Sequence, residues 1–262
     1  MLELKGVSKA FFKGTVNERV ALEDVSLELL RGDFAMILGS NGSGKSSLFN
    51  AICGKFELDS GQVFLDGKRI DPLPDYKRAL EIGRIMQDPM KGTAPGMTIE
   101  ENLSLAYTRK AKKSFFAVSK KDRGVFRQAL EGLGMGLEDR LTDKVGLLSG
   151  GQRQAVALLM ATIAEPKLLL FDEHTAALDP AAAKKVMEMT VAVAHQKQIA
   201  AMVITHDINA AIMHGNRILM MNEAKIALDI ASGQKKELTP EKLLELYSQK
   251  SNTPLPDRVI LG

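Results

Sequence analysis

"DFAMILGSNGSGKSSLFNAICG", residues 33–54, decides the fold. Its first part, "FAMILG", is a short continuous apolar run, the pattern of a strand buried on both faces. A glycine-rich loop follows, and then "SSLFNAICG", a helix that ends at Gly54. Gly39, Gly44, Lys45 and Ser46 fit the spacing G-x-x-x-x-G-K-[ST]. The glycines let successive backbone N–H groups turn inward toward phosphate oxygens, and the helix N-terminus adds partial positive charge. Ser40, Asn41, Gly42 and Ser43 complete the loop and Ser47 continues the first turn, so 39–47 reads as a triphosphate cradle. In such a loop the lysine reaches the β- and γ-phosphates and takes part in catalysis, while the hydroxyl of Ser46 ligates Mg²⁺. A dinucleotide-binding loop is the poorer fit, because it has no use for the Lys-Ser pair.

The flanks extend this to an α/β chain. "LELKGV" (2–7) and "VSLELL" (25–30) alternate like half-buried antiparallel strands, and Asp66-Gly67 in "VFLDGKRI" is a hairpin signal. "GRIMQ" (83–87), "PKLLLFDE" (166–173) and "IAAMVITHD" (199–207) are further buried strands. Helices are expected from about Gly151 to Ala164, over 180–196 with Pro180 in the first turn, and over 238–250 with Thr239 as cap and Pro240 at N1. "RILMMNEAKIAL" (217–228) reads as a closing hairpin. Buried strands alternating with helices predict a mostly parallel sheet. From Lys91 to Leu148 helical patterns, glycine breaks and charge take over, as in an inserted helical subdomain.

Two acids follow the run "LLLF": Asp172 and Glu173. Such a run places them at the carboxyl end of a buried strand, where open α/β sheets bind ligands. A lone Asp-Glu pair would be read as a cap; after a phosphate loop, Asp172 reads as a Mg²⁺ ligand and Glu173 as the group that polarises the attacking water. Gln87 and His206 also stand at strand ends, Gln87 as a metal-site residue and His206 in reach of a γ-phosphate. A lone histidine is more often structural, and His195 and His214 are assigned to helices or surface turns.

Bulk properties narrow the class. The 262 residues carry a formal charge of +3, one cysteine and no tryptophan. Such a charge suits an anionic ligand or a membrane-facing surface and falls short of a nucleic-acid footprint. Cys53 allows no disulfide within the chain, fits a reducing compartment, and reads as a small buried hydrophobe. No signal peptide is expected, and no apolar run approaches the about 18 residues of a membrane span.

A second glycine loop, "GLLSGGQRQ" (146–154), remains. In order the chain shows "GSNGSGKS", Gln87, "LSGGQ", "LLLFDE", "AALD" and His206. That series resembles the ATP-binding subunit of ABC transporters over about residues 2–227. The resemblance implies a P-loop NTPase, RecA-like core with an antiparallel β subdomain (1–90 and 151–227), a helical signature subdomain (91–150) and a short C-terminal extension (228–262). It implies a head-to-tail dimer of two such subunits, in which Ser149, Gly150, Gly151 and Gln152 of one close over ATP held by the other. Ala177, Leu178 and Asp179 would form the dimer-contacting D-loop. Phe11 would stack on adenine, with Phe12 the competing choice. Segment 88–102 would receive an integral membrane permease, placing the chain on the cytoplasmic face of a membrane.

"GTVNERVAL", "DPMKGTAPGMTIEENL", "DRLTDKVGLLSGGQRQ" and "DEHTAALDP" resemble a bacterial subgroup that pairs with a small permease and a solute-binding protein for amino-acid uptake of the tryptophan or tyrosine type. The pattern also departs from the family. His174 stands where many members have proline, which predicts a less rigid loop; "AVALLMAT" replaces an A-R-A-L-like segment; and the end of the chain leaves no room for a regulatory domain. "RKAKKSFFAVSKKDR" (109–123) reads as a solvated face, with attraction to anionic lipid as the sharper alternative. Three rivals are an exporter or lipoprotein-release ATPase, a soluble ATPase acting on nucleic acid or ribosomes, and a degenerate regulatory binder. One cassette without coiled-coil or zinc insertions speaks against the second, and the presence of Glu173, His206 and "LSGGQ" against the third.

Overall fold

The computed structural model describes residues 1–109, 119–231, 233, 235 and 238–251. In chain order the elements are β1 (Leu2–Phe11), β2 (Arg19–Leu29), β3 (Phe34–Gly39), α1 (Lys45–Cys53), β4 (Ser60–Leu65), β5 (Lys68–Arg69), α2 (Asp75–Arg78) and β6 (Ile82–Ile85). There follow α3 (Ile99–Tyr107), α4 (Lys120–Glu131), α5 (Gly150–Thr162), β7 (Leu168–Asp172), α6 (Pro180–Gln196), β8 (Ala200–Ile204), α7 (Ile208–His214), β9 (Arg217–Asn222), β10 (Lys225–Ile230) and α8 (Pro240–Ser251).

Two sheets organise these elements. The larger runs β10-β9-β3-β8-β7-β6. All its pairings are parallel except the β9–β10 hairpin. β3 and β8 are buried at every position, as their unbroken apolar runs require. The smaller sheet, β2-β1-β4-β5, is antiparallel, with Asp66-Gly67 turning β4 into β5. Alternation in β2 buries Val25, Leu27 and Leu29 and leaves Glu28 out.

Each face of the larger sheet has its own core. Leu168, Leu170, Ala35 and Ile37 point toward α1 and the antiparallel sheet, where they meet Phe49, Ile52 and Val25. Leu169, Phe171, Met36 and Leu38 point the other way, into a cluster shared with Phe126 and Leu130 of α4 and with Leu158 of α5. α3 and α4 pack on α5, and α5 joins them to this face of the sheet at β6. The line at residue 228 falls inside β10, and Leu243 and Tyr247 of α8, 0% and 1% exposed, belong to the same cluster.

Several boundaries differ from the sequence reading. β6 ends at Ile85, so Met86 and Gln87 lie beyond the strand. α5 starts at Gly150, one residue early, because Ser149 caps it. Cys53 is only partly buried, at the last position of α1, where the wall of a cavity replaces close packing. Most of the basic segment 109–123 and the end of the chain lie outside the described residues.

Candidate functional site

The phosphate loop joins β3 to α1, and its glycines are required. Gly39, Gly42 and Gly44 have φ of 148°, 83° and 106°, conformations that side chains disfavour. A Cβ on Gly39 would lie 2.4 Å from the Met221 carbonyl oxygen, and one on Gly44 2.8 Å from that of Ala21. Gly44 caps α1 without a side-chain bond, leaving the first N–H groups of the helix open to an anion. The hydroxyl of Ser43 is buried without a hydrogen-bond partner. A second turn holds the loop from behind. Glu223 and Ala224, with φ of 45° and 66°, turn β9 into β10. The Ala224 N–H donates to the Ser43 carbonyl at 3.1 Å, and the Ala224 carbonyl accepts from the Glu23 N–H at 3.0 Å.

Lys45 is folded into the loop it opens from. Its Nζ donates to the carbonyls of Gly39 (2.6 Å) and Ser40 (2.9 Å). Burial pushes its pKa down, opposed by the charges of Glu173 and Asp172.

Ser46, Gln87, Asp172, Glu173 and Ala177 line a single cavity of about 410 Å³. The strand order accounts for this: β3 feeds the loop, β7 ends at Asp172, and Gln87 follows β6, so residues 40 to 130 positions apart meet beyond the carboxyl ends of parallel strands. Glu173 has φ of 48°, and its N–H donates to the Ile204 carbonyl at 3.2 Å. His206 Nε2 lies 2.8 Å from Glu173 Oε1. β8 ends at Ile204, so His206, two residues beyond it and not its last residue, holds the carboxylate that follows the end of β7.

A serine hydroxyl, an amide oxygen and one carboxylate form an all-oxygen donor set, which suits Mg²⁺ sharing its shell with water and phosphate. Among the described residues no group of three or more His, Cys, Asp or Glu could cage a metal. The donors fit a metal that arrives with a triphosphate.

Ser149, Gly150, Gly151 and Gln152 do not line this cavity. Ser149 caps α5, its Oγ accepting from the Gln152 N–H and its N–H donating to Gln152 Oε1, both at 3.3 Å. A Cβ on Gly150 would meet Leu178 at 3.0 Å, and one on Gly151 would meet Ala182 at 3.3 Å. Asp179 caps α6 by accepting from the Ala182 N–H at 2.9 Å. Leu178 and Ala182 are therefore packed beside the start of α5 in the same chain. Phe11 ends β1, pairs across the sheet with Arg19 and meets Phe56 edge-on at 5.2 Å. Phe12 is 72% exposed.

His174 overturns one expectation. It is 2% exposed, and its ring lies 4.7 Å from that of Phe171. The Thr190 hydroxyl gives its proton to the Val186 carbonyl (2.8 Å), so His174 Nε2–H must donate to Thr190 Oγ1 (3.0 Å). Burial lowers its pKa to about 3. The loop after Glu173 is pinned to α6 by a neutral imidazole, not loosened by the loss of proline. Arg84 was not singled out in the sequence, and it donates to Asp172 Oδ2 at 2.7 Å. Its only local signal is a charge inside a four-residue buried strand.

Residues 22–176 match the ABC transporter family. The chain belongs to that family. It is 39% identical, over 94% of its length and 98% of the relative's, to a tyrosine transport ATP-binding protein of Clostridioides difficile. It is 35% identical, over 95% of its length and 94% of the relative's, to a xylose/arabinose import ATP-binding protein of Sulfolobus acidocaldarius. A dimeric ATP-binding cassette in a post-hydrolysis state with ADP and Pi superposes with a TM-score of 0.76 at 29% identity, covering 88% of this chain and 99% of that one. This ABC ATPase is the ATP-binding subunit of a transporter. Among its described residues no helix is long and apolar enough to cross a membrane.

Proposed function

We propose that this ABC ATPase energises a bacterial solute importer of the amino-acid type, as a homodimer closed head to tail by ATP on the cytoplasmic face of a membrane permease. The observation that carries the reading is the cavity of Ser46, Gln87, Asp172 and Glu173 with His206 on Glu173, a nucleotide site that the signature residues of the same chain do not line. A site left open on one side is completed by the Ser149 loop of a second copy, and two-fold symmetry makes two such sites.

The loop N–H groups of 39–47 and Lys45 bind the phosphates. Lys45 exchanges its bonds to the Gly39 and Ser40 carbonyls for phosphate oxygens. Ser46, Asp172 and Gln87 would hold Mg²⁺, which would supply charge neutralisation to the triphosphate. Glu173 orients and polarises the attacking water, and His206 holds Glu173 in place. Phe11 takes the adenine face. Ala177, Leu178 and Asp179 meet the partner copy; Gly150 and Gly151 offer it their N–H groups, while Ser149 and Gln152, which cap each other, hold the signature loop in shape. ATP favours the closed dimer because only that state contacts both sides of the γ-phosphate. Gln87 leads directly into segment 88–102, beside a cavity of about 140 Å³ bounded by Pro89, Gly92, Leu105 and Met160, which suits a docked permease segment. The relative described as a tyrosine transport ATP-binding protein supports an amino-acid cargo, and uptake with a solute-binding protein extends that reading.

Glu173→Gln tests the core of this reading. It is expected to retain ATP binding, lose turnover by about 100-fold or more, and run as a dimer in ATP on a sizing column. Turnover near the wild-type rate would remove Glu173 from its role. Co-purification from membranes with a multi-span permease and a solute-binding protein tests the importer. Capture of ribosomal or nucleic-acid-bound material with no membrane partner would overturn it.

A further inference from the structure

We propose that Arg84 is a positioning residue for Asp172 whose charge holds down the affinity of the site for Mg²⁺ until a nucleotide brings the metal in. The inference rests on the assignment of Asp172 to the metal site.

Arg84 lies on β6, the edge strand of the larger sheet, paired in register with Leu170 of β7. Paired residues share a face, and the pleat returns to that face two residues on, at Asp172. Arg84 and Asp172 therefore both point toward α1. The guanidinium spans the gap with two bonds of 2.7 Å, Nη2 to Asp172 Oδ2 and Nη1 to Asn50 Oδ1. The Arg84 and Asp172 side chains are only 14% and 18% exposed. Asn50 is four residues after Ser46 on α1, so the two lie on one helical face. One planar cation thus braces the strand end that carries Asp172 against the helix that carries Ser46.

The geometry has two consequences. Asp172 is oriented before any metal arrives, through one oxygen, with Oδ1 outside this ion pair. A fixed positive charge also sits on the carboxylate that a divalent cation would use, and like charges across so short a bridge, in a partly buried site, oppose each other strongly. The protein alone then takes Mg²⁺ poorly, whereas a triphosphate supplies the negative charge that outweighs Arg84.

The test compares wild type, Arg84→Met, Arg84→Gln and Arg84→Lys as full chains, with a nonhydrolysable fluorescent ATP analogue and Mg²⁺ as probes. Mg²⁺ half-saturation of analogue binding and the thermal midpoint in Mg²⁺ alone are measured. The two neutral variants are expected to bind Mg²⁺ about fivefold more tightly and to gain thermal stability from Mg²⁺ alone, which wild type does not. Arg84→Lys keeps the charge and is expected to stay close to wild type. Arg84→Gln keeps an amide donor to Asp172, so it carries the test if the methionine variant does not fold. Unchanged or weaker Mg²⁺ half-saturation in a folded neutral variant overturns the proposal. Analogue binding with no Mg²⁺ dependence in wild type would instead overturn the placement of the metal site.

Discussion

His174 gives a pH signature that can be traced to one buried group. Its imidazole is neutral and buried, with a pKa lowered from 6.5 to about 3. The unfolded chain takes up that proton near pH 6.5, the folded chain only near 3. Between those values the unfolded state binds more protons, so this contribution to stability is complete above pH 6.5 and is lost as pH falls. The expected slope is about 1.4 kcal/mol per pH unit. By urea unfolding, wild type should lose about 2 kcal/mol from this group between pH 7 and pH 5, a loss absent in His174→Gln, which keeps a side-chain amide for Thr190 and does not titrate. Equal pH dependence in both would place the titrating group elsewhere. Glu173 makes a related point about single residues: its φ of 48° and its bond to His206 fix a carboxylate in a disfavoured backbone conformation. His206→Gln should therefore lower turnover while leaving ATP affinity within about twofold, since a positioning contact acts on the transition state more than on binding.

The two glycine loops differ as elements, and their variants should differ accordingly. The loop before α1 is closed by backbone: a Cβ at Gly39 would strike a carbonyl oxygen that cannot move without displacing β9. Gly39→Ala should cost about 1–3 kcal/mol of stability and abolish nucleotide binding to the monomer, as read by fluorescent-nucleotide titration. The loop before α5 is closed by side chains, with Ser149 and Gln152 capping each other. Ser149→Ala should lose about 1 kcal/mol of cap energy. If the loop serves the partner's nucleotide, monomer affinity for ATP stays unchanged and turnover falls; a weakened monomer affinity would make it a cis contact.

Over the whole molecule, the segment after the last strand is part of the core. Tyr247 is 1% exposed and sits in the cluster that backs β3, β7 and β8. Tyr247→Ala should cost about 3–5 kcal/mol by chemical denaturation while leaving the KM for ATP near wild type, because the cluster lies on the face of the sheet away from α1. Loss of ATP binding without loss of stability would contradict that separation. The cavity of Ser46, Gln87, Asp172 and Glu173 was readable in advance where chemistry is contiguous. Residues 39–47 carry loop, charge and hydroxyl in one run, and Asp172-Glu173 end a run that can only be a buried strand. Backbone propensity and periodicity are local quantities, and they placed these groups at strand ends. The partners themselves, Arg84 meeting Asp172 across 88 positions, Ala224 bracing Ser43, His206 on Glu173, and Leu178 beside Gly150, are not written in the local sequence. Those contacts follow from strand order and register, which are set when distant apolar faces bury one another. Residue types and spacing thus settled the fold class and the phosphate chemistry. Which groups orient Asp172 and Glu173 was decided only in the folded chain, because that depends on which strands become neighbours.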